Sequence, residues 1–265
     1  MESTSLSERT LKIEVQYCGR AFFGWQRQES GVPTIQAAVE DALAAVLQHS
    51  VTIEGSGRTD RGVHARAHPA SFSTGNSLPT ERILAGANAH LPATIALISI
   101  DEVDPGFHAR YDACWKTYRY SIDNGPVRSP LLAATHHHDG RGLIVARMQE
   151  AARAFVGRHD FYSLATMGWQ KESTIRTIFD LQVQRRAAEP DRIEIDVTGD
   201  GFLYNQVRTL AGTLLEVGLG TRDPSSCRRL LQTRDRTLAG PNLPAHGLAL
   251  LQVGYVPFLS EPGQG

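Results

Sequence analysis

Hydrophobic and polar residues alternate near the start of the chain, and the pattern then changes to a helical period. Four apolar residues separated by polar neighbours predict a half-buried strand: Leu11, Ile13, Val15 and Tyr17. After the Gly31-Val32-Pro33 break, apolar residues recur at the i, i+3, i+4 spacing of one helical face, with Pro33 or Thr34 at its start. These residues are Ile35, Ala38, Val39, Ala42, Leu43, Val46 and Leu47.

The rest of the chain repeats this change of period. Strands are predicted at 51–53, 67–73 and 95–100, and a short helix runs from Pro79 to about Ala89. Together with the first strand and helix, these elements give the order β-α-β-β-α-β. The second half has the same order, with strands at 117–122, 178–184, 192–198 and 248–253, helices at 145–155 and 202–217, and an inserted helix at 224–232.

Two halves of this kind predict an α+β fold made of two ferredoxin-like β-α-β-β-α-β units, with helices covering one face of a mixed sheet. We expect a central cleft between the halves that draws functional groups from both. The predicted division is a flexible tail at 1–9, an N-terminal half at 10–110, a C-terminal half at 111–258 and a second tail at 259–265.

Composition narrows the class of protein only moderately. The 265 residues are 41% hydrophobic and 21% charged, which is typical of a globular chain. No apolar run reaches the ~20 residues that span a bilayer, and Met1–Ser5 has neither the basic nor the apolar part of a secretory signal. We therefore expect a cytoplasmic protein without a membrane partner.

The net charge of −1 argues against broad, non-specific binding of nucleic acid. A localised basic surface remains compatible with this value, and only three of the 27 basic side chains are lysines. Arginine suits bidentate phosphate contacts and stacking on bases. A general compositional bias explains the arginine excess equally well.

The cysteines and histidines do not predict a metal site. Cys18, Cys114 and Cys227 are far apart and odd in number, which excludes a Cys-x-x-Cys motif and argues against a disulfide framework. The run His136-His137-His138 would point its side chains to opposite faces of an extended segment, and no second cluster has matching spacing.

The stretch Gly57–Ala65 carries the strongest chemical signal. It reads Gly-Arg-Thr-Asp-Arg-Gly-Val-His-Ala and places Asp60 between Arg58 and Arg61. Neighbouring positive charges lower the pKa of an aspartate, so Asp60 is expected to be anionic and available as a nucleophile or base. The alternative is a surface turn in which Gly62 supplies a positive φ.

This stretch resembles the catalytic signature of the tRNA pseudouridine synthase A family. Other segments from about residue 11 to 255 resemble the family's landmarks in the same order: Tyr17-Cys18-Gly19, Phe23-Gly24-Trp25-Gln26-Arg27-Gln28, Phe107-His108-Ala109-Arg110, Tyr118-Arg119-Tyr120 and Phe202-Leu203-Tyr204-Asn205-Gln206-Val207-Arg208. The resemblance implies isomerisation of uridine to pseudouridine at positions 38, 39 and 40 of the tRNA anticodon stem and loop. It also implies a pseudouridine-synthase-type mixed sheet, no metal or cofactor, and a homodimer.

The resemblance makes Asp60 the nucleophile, and Tyr118 is expected to stack on the uracil and serve a proton transfer. Arg208, the third expected catalytic residue, lies near the start of a helix with an apolar face; a charge buried beside that face needs a partner, and Asp60 is the expected one. Arg58 and Leu248 join Tyr118 in substrate binding, Arg58 by positioning the target or supporting the unstacked base and Leu248 as an apolar wall. The alternatives are a solvated charge for Arg58, a core tyrosine for Tyr118 and a plain strand residue for Leu248.

A further set of residues is expected to contact tRNA: Phe107, His108, Ala109, Arg110, Tyr111, Gln26, Arg27, Gln170 and Lys171. Phe23 and Trp25 offer aromatic surface beside Gln26, although core packing explains Phe23 at least as well. The sequence departs from the family pattern at Arg61, where a small residue is expected, and at His90, where an asparagine is expected.

Two other functions are compatible with parts of the pattern. Paired ferredoxin-like sheets also occur in non-catalytic proteins that bind structured RNA, but Asp60, Tyr118 and Arg208 argue for an enzyme. A glycoside hydrolase needs a second acidic partner. Asp160 and Glu172 are available, yet neither forms a recognisable constellation with Asp60.

Overall fold

The computed structural model describes residues 8–29, 31–166 and 173–259. Its contacts divide the chain into two compact units, Met1–Ala113 with Leu250–Tyr255, and Cys114–Ala249 with Val256–Gly265. The sequence-based division at residues 110 and 111 lies close to the change of unit, but it placed 250–255 in the second half.

The first unit contains β1 (Arg9–Tyr17), α1 (Ile35–Leu47), β2 (Glu54–Gly55), β3 (His64–Thr74), α2 (Thr80–His90) and β4 (Ile95–Val103). β1 lies between β4 and β3 and is antiparallel to both, with Ile13 opposite Ala70 and Ile100. β2 pairs antiparallel with β3. This is the β-α-β-β-α-β arrangement that the sequence predicts.

The second unit begins with β5 (Trp115–Asp123), the two-residue β6 (His137–His138), α3 (Val145–Ala152), β7 (Gly157–Asp160) and β8 (Ile175–Arg186). β9 (Glu189–Gly199), α4 (Gln206–Gly218) and α5 (Ser226–Thr233) complete it. Its sheet has the order β5-β9-β8-β7, antiparallel throughout, with β6 parallel to β5. The last strand, β10 (Leu248–Gly254), lies mostly in the first unit, where it hydrogen-bonds to β3.

The amphipathic patterns form the cores as predicted. The apolar face of β1 is at most 3% exposed, and β9 contributes three fully buried residues at alternate positions to the second core: Ile193, Ile195 and Val197. Thr34 caps α1 by accepting a hydrogen bond from the Ala37 amide at 3.3 Å, directly after Pro33. Within the described ranges, no helix is long and apolar enough to cross a bilayer.

Two predicted element boundaries are wrong for identifiable reasons. Residues 51–53 are not a strand, because the side chains of α1 satisfy their backbone: Glu40 accepts from the Ile53 amide and Gln36 donates to the Ile53 carbonyl, both at 3.0 Å. The helix predicted from residue 202 begins at Gln206, because Asn205 adopts a left-handed conformation with φ of 62°.

The helices predicted at 145–155 and 224–232 also have shifted ends. α3 ends at Ala152 and is followed by a 3-10 turn over Arg153–Phe155, whereas α5 begins two residues later than predicted and ends at Thr233.

Gly212 tests how tightly α4 packs. Glycine to alanine inside a helix ordinarily stabilises a protein by roughly 1 kcal/mol. At Gly212, however, a Cβ would lie 1.9 Å from the Pro241 carbonyl oxygen. We expect Gly212→Ala to lower the free energy of unfolding by about 1–3 kcal/mol in urea denaturation.

Gly86→Ala is the matched control in α2, because its Cβ would meet only the side chain of Val46, at 2.9 Å. The control is expected to lose less stability than Gly212→Ala. A stabilising Gly212→Ala substitution would contradict this packing.

Candidate active site

Asp60 lies in the loop between β2 and β3, at the first position of a tight turn. The backbone carbonyl of Asp60 accepts a hydrogen bond from the Val63 amide at 3.1 Å, and Gly62 has a φ of 82°. A positive φ at the third position is typical of a type II turn and favours glycine. The turn proposed as the alternative is therefore present, with Asp60 half-buried and both Arg58 and Arg61 exposed.

The segment Gly19–Trp25 holds this loop through direct backbone contact. The Trp25 amide donates to the Thr59 carbonyl at 3.0 Å. Gly24 has a φ of +100°, and a Cβ on it would lie 2.8 Å from the Thr59 oxygen. At Gly19 a Cβ would lie 1.9 Å from the Val63 oxygen. Only glycine permits these approaches, so the first motif fixes the loop on both sides of Asp60.

A buried polar network lies below the loop. The Tyr17 hydroxyl lies 2.7 Å from Thr59 Oγ1 and 2.8 Å from His68 Nδ1. The Trp25 ring stacks on His68 with centroids 3.8 Å apart and is only 2% exposed. Trp25 therefore belongs to the core, not to the RNA-facing surface that the sequence suggested.

Gln26 and Arg27 attach the same segment to α1. Gln36 Oε1 accepts from Gln26 Nε2 at 2.6 Å and from the Arg27 amide at 2.8 Å. Arg27 forms ion pairs with Asp41 at 2.9 Å and with Glu40 at 2.6 Å. Its hydrogen bonds to Asp41 and then Glu40 raise the pKa of the Arg27 guanidinium. The predicted tRNA contacts of Gln26 and Arg27 stay predictions.

Tyr118 and Arg208 are positioned by the second unit. Tyr118 is half-buried on β5, and its ring meets Phe202 edge to face with centroids 5.4 Å apart. Arg208, in the first turn of α4, donates from Nε to the Leu243 carbonyl at 2.6 Å and from Nη1 to Asn205 Oδ1 at 2.7 Å. The left-handed Asn205 thus orients the guanidinium. Because Asp60 belongs to the other unit, its pairing with Arg208 stays a prediction.

Leu248 begins β10 and is 6% exposed. The preceding Gly247 packs against the Tyr120 ring, where a Cβ would lie 2.6 Å from Cζ. The Tyr120 hydroxyl donates to the Pro244 carbonyl at 2.9 Å, and burial raises its pKa. These contacts account for Leu248 as a buried strand residue, and its role as a wall of the site stays a prediction.

In the segment 107–111, Phe107 and Ala109 pack inward, whereas Arg110 and Tyr111 are both exposed. Phe107 meets Tyr255 edge to face at 5.0 Å, and the fully buried Ala109 donates from its amide to Ser71 Oγ at 3.1 Å. Outward, His108 and Tyr111 have ring centroids 4.2 Å apart, and the Arg110 guanidinium lies 5.7 Å from the Tyr111 ring. Tyr111 is 75% exposed. Gln170 and Lys171 lie outside the described residues.

The histidine run pairs as β6 with the end of β5. Among the described residues, no group of three His, Cys, Asp or Glu side chains is arranged to hold a metal ion. Burial lowers the pKa of both His136 and His137, and the Arg141 guanidinium lowers the pKa of Asp139.

The amino-acid sequence of this chain matches a known protein family. A family model described as tRNA pseudouridine synthase matches residues 13–112 and 151–256. This match extends over more than half of the chain, and the chain therefore belongs to the tRNA pseudouridine synthase family.

Individual relatives carry the more particular name tRNA pseudouridine synthase A. The protein of that name from Pelobacter propionicus is 44% identical over 247 residues, which cover 93% of this chain and 100% of the relative. The Geobacter sulfurreducens protein is 41% identical with the same coverage. A Clostridium tetani relative named tRNA pseudouridine synthase A 2 is 39% identical over 93% of this chain and 99% of its own.

Gly24 and Gly31 separate the effect of the loop contact from ordinary backbone strain. Both have positive φ, +100° and +93°, but a Cβ on Gly31 would meet nothing within 4 Å. Gly31→Ala is expected to cost about 1–2 kcal/mol from strain alone. Gly24→Ala is expected to cost a further 1–3 kcal/mol, roughly, because its Cβ strikes the Thr59 carbonyl. Equal losses in chemical unfolding would show that this approach contributes nothing.

The half-buried His136 and His137 predict a pH dependence of stability. The unfolded chain protonates histidine near pH 6.5, whereas burial lowers the pKa of His136 and His137 in the folded state. The unfolded state then binds more protons, so the free energy of unfolding falls as the pH drops below about 6.5. A His136→Gln, His137→Gln double variant is expected to have a smaller slope between pH 7.5 and 5.5 in urea titrations. An unchanged slope would contradict this assignment.

Proposed function

We propose that this protein isomerises uridine to pseudouridine at positions 38, 39 and 40 of the tRNA anticodon stem and loop, with Asp60 as the nucleophile. The observation that carries the proposal is the Asp60 turn, fixed by Gly19 and Gly24 and flanked by two exposed arginines. Family membership and the relatives' shared name support the reaction.

The reaction needs one reactive carboxylate and no net change in atoms. The N1–C1′ glycosidic bond breaks, the uracil turns, a C5–C1′ bond forms, and the proton leaving C5 is balanced by one gained at N1. Asp60 attacks ribose C1′ or uracil C6, or stabilises a glycal-forming path, and each of these routes uses a single carboxylate. No redox group, metal or other cofactor is required by this balance.

Tyr118 and Arg208 complete the proposed catalytic set. The Phe202 contact restrains the Tyr118 ring, which suits stacking on the uracil, and the Tyr118 hydroxyl is proposed to serve the proton transfer. The fixed guanidinium of Arg208 is suited to pairing with the Asp60 carboxylate. Arg58 is proposed to position the target or support the unstacked base, and Leu248 to exclude water.

The outward side of segment 107–111 is the proposed tRNA contact. His108, Arg110 and Tyr111 combine a cation with two rings, the chemistry that binds phosphates and unstacked bases. Phe107 and Ala109 are proposed to position these residues through Tyr255 and Ser71. Four further residues are proposed to contact the tRNA: Gln26, Arg27, Gln170 and Lys171.

We also propose that the protein is a homodimer and that it acts in the cytoplasm.

Asp60→Asn tests the nucleophile, because it removes the reactive oxygen while keeping the size of the side chain. We expect pseudouridine formation in an anticodon stem-loop RNA to fall about a thousandfold or more, with RNA affinity retained. Pseudouridine-specific mapping and RNA binding are measured together. Asp101→Asn is the matched control, because Asp101 is an exposed residue of β4.

Conversion by the wild type and the control alone would support the proposal. Tight RNA binding without conversion by the wild type would favour a non-catalytic protein that binds structured RNA. Unchanged conversion by the Asp60→Asn variant would contradict its role as nucleophile.

A further inference from the structure

Arg61 and Phe23 form an exposed stack beside the Asp60 turn. The guanidinium carbon of Arg61 lies 4.2 Å from the centroid of the Phe23 ring. Phe23 is 42% exposed, whereas Trp25, on the other side of Gly24, is buried. Gly24 thus separates an inward aromatic residue from an outward one, and the outward ring carries the Arg61 guanidinium.

The backbone keeps this stack in place. A Cβ on Gly24 would lie 3.4 Å from the Arg61 amide nitrogen and 3.4 Å from the Asp60 carbonyl carbon, so the residue after Phe23 lies directly on the peptide before Arg61. The Phe23 amide also donates to the Pro33 carbonyl at 2.9 Å. Arg61 is the second residue of the Asp60 turn, a position that accepts most side chains, so the turn itself does not require arginine.

The stacked arginine is suited to bind a phosphate. A guanidinium that rests on an aromatic ring uses one of its faces and none of its N–H donors, which point outward in its plane. Those donors match two phosphate oxygens, and the ring restricts the freedom that a long side chain loses on binding. The contact with Phe23 therefore prepares Arg61 for an anion.

We infer that Arg61, braced by Phe23, binds a backbone phosphate of the RNA next to the target nucleotide and thereby positions the substrate. The inference rests on the proposed function, because it takes the ribose of the target to lie at Asp60. The phosphates of a nucleotide flank its ribose, and Arg61 directly follows Asp60 in the chain. The same contact gives Arg61 a role at the position where the sequence departs from the family pattern.

The test compares Arg61→Ala with Arg82→Ala, which removes an exposed arginine from α2 of the same unit. Arg61→Ala is expected to raise KM for an anticodon stem-loop about tenfold with kcat unchanged. It should also reduce the slope of log affinity against log salt by about 0.7–0.9, the change for one phosphate contact. Arg82→Ala is expected to change neither quantity.

Phe23→Leu keeps apolar bulk but removes the ring. We expect it to raise KM less than Arg61→Ala, and to have no further effect when Arg61 is already alanine. Arg61→Lys should be intermediate, because it keeps the charge and loses the planar fork. Additive effects of Phe23→Leu and Arg61→Ala would overturn the bracing role.

Substrate RNAs with one uncharged methylphosphonate linkage, placed in turn at each linkage flanking the target, identify the phosphate. At one linkage the penalty of Arg61→Ala should disappear. A penalty independent of linkage charge would overturn the phosphate contact in favour of base stacking. A fall in kcat with unchanged KM would instead show that Arg61 acts on the Asp60 turn.

The salt dependence is also measured in the Asp60→Asn background, where no turnover is needed. If the wild type forms no pseudouridine but the salt slope still depends on Arg61, the proposed function fails and the phosphate contact stands. If the wild type is active and Arg61→Ala changes neither KM nor slope, the phosphate contact is wrong and the proposed function is unaffected.

Discussion

The approach of two backbone segments without intervening side chains determines the geometry of the Asp60 loop. Gly19 and Gly24 bring one segment against the carbonyls of Val63 and Thr59, where a single methyl group would not fit. The Trp25 amide then hydrogen-bonds to the Thr59 carbonyl, and the Val63 amide to the Asp60 carbonyl, and these two bonds fix the position of the turn. As a consequence, the Asp60 carboxylate is half-buried and lies in the chain between two exposed arginines.

The same segment connects this loop to the core. The Tyr17 hydroxyl hydrogen-bonds to Thr59 of the loop and to His68, on which the Trp25 ring stacks. Gln36 of α1 hydrogen-bonds to Gln26. Glu40, buried in α1, links Arg27 to the Ile53 amide ahead of β2. A charged residue that is 5% exposed is tolerated there because its oxygens have donors on both sides. Side chains far from Asp60 therefore contribute to its position.

Long periodic elements were predictable from the sequence, because burial on one face determines them. β1 and α1 show this, since their apolar positions are the buried ones. β6 and β7, with two and four residues, are too short to carry a period. The boundaries near Ile53 and Asn205 depend on side-chain bonds and one left-handed residue, which periodicity does not report.

The turn at Asp60 was predictable because its motif is a contiguous string with Gly62 at the position of positive φ. The sequence did not predict that Trp25 is buried or that Phe23 stacks under Arg61. The sequence next to a glycine does not indicate which way an aromatic side chain faces. The positive φ of Gly24, +100°, turns the backbone between Phe23 and Trp25 so that the two rings face opposite ways, and that φ is visible only in the folded loop.

Amide hydrogen exchange at Trp25 and Val63 tests most directly whether backbone contact fixes the Asp60 loop. Both amides donate to carbonyls of the loop, at 3.0 and 3.1 Å. If the contact holds, both amides are expected to exchange as slowly as amides in the centre of β1, because their hydrogen bonds break only when the whole first unit unfolds. Exchange at the rate of an exposed surface loop would contradict the account.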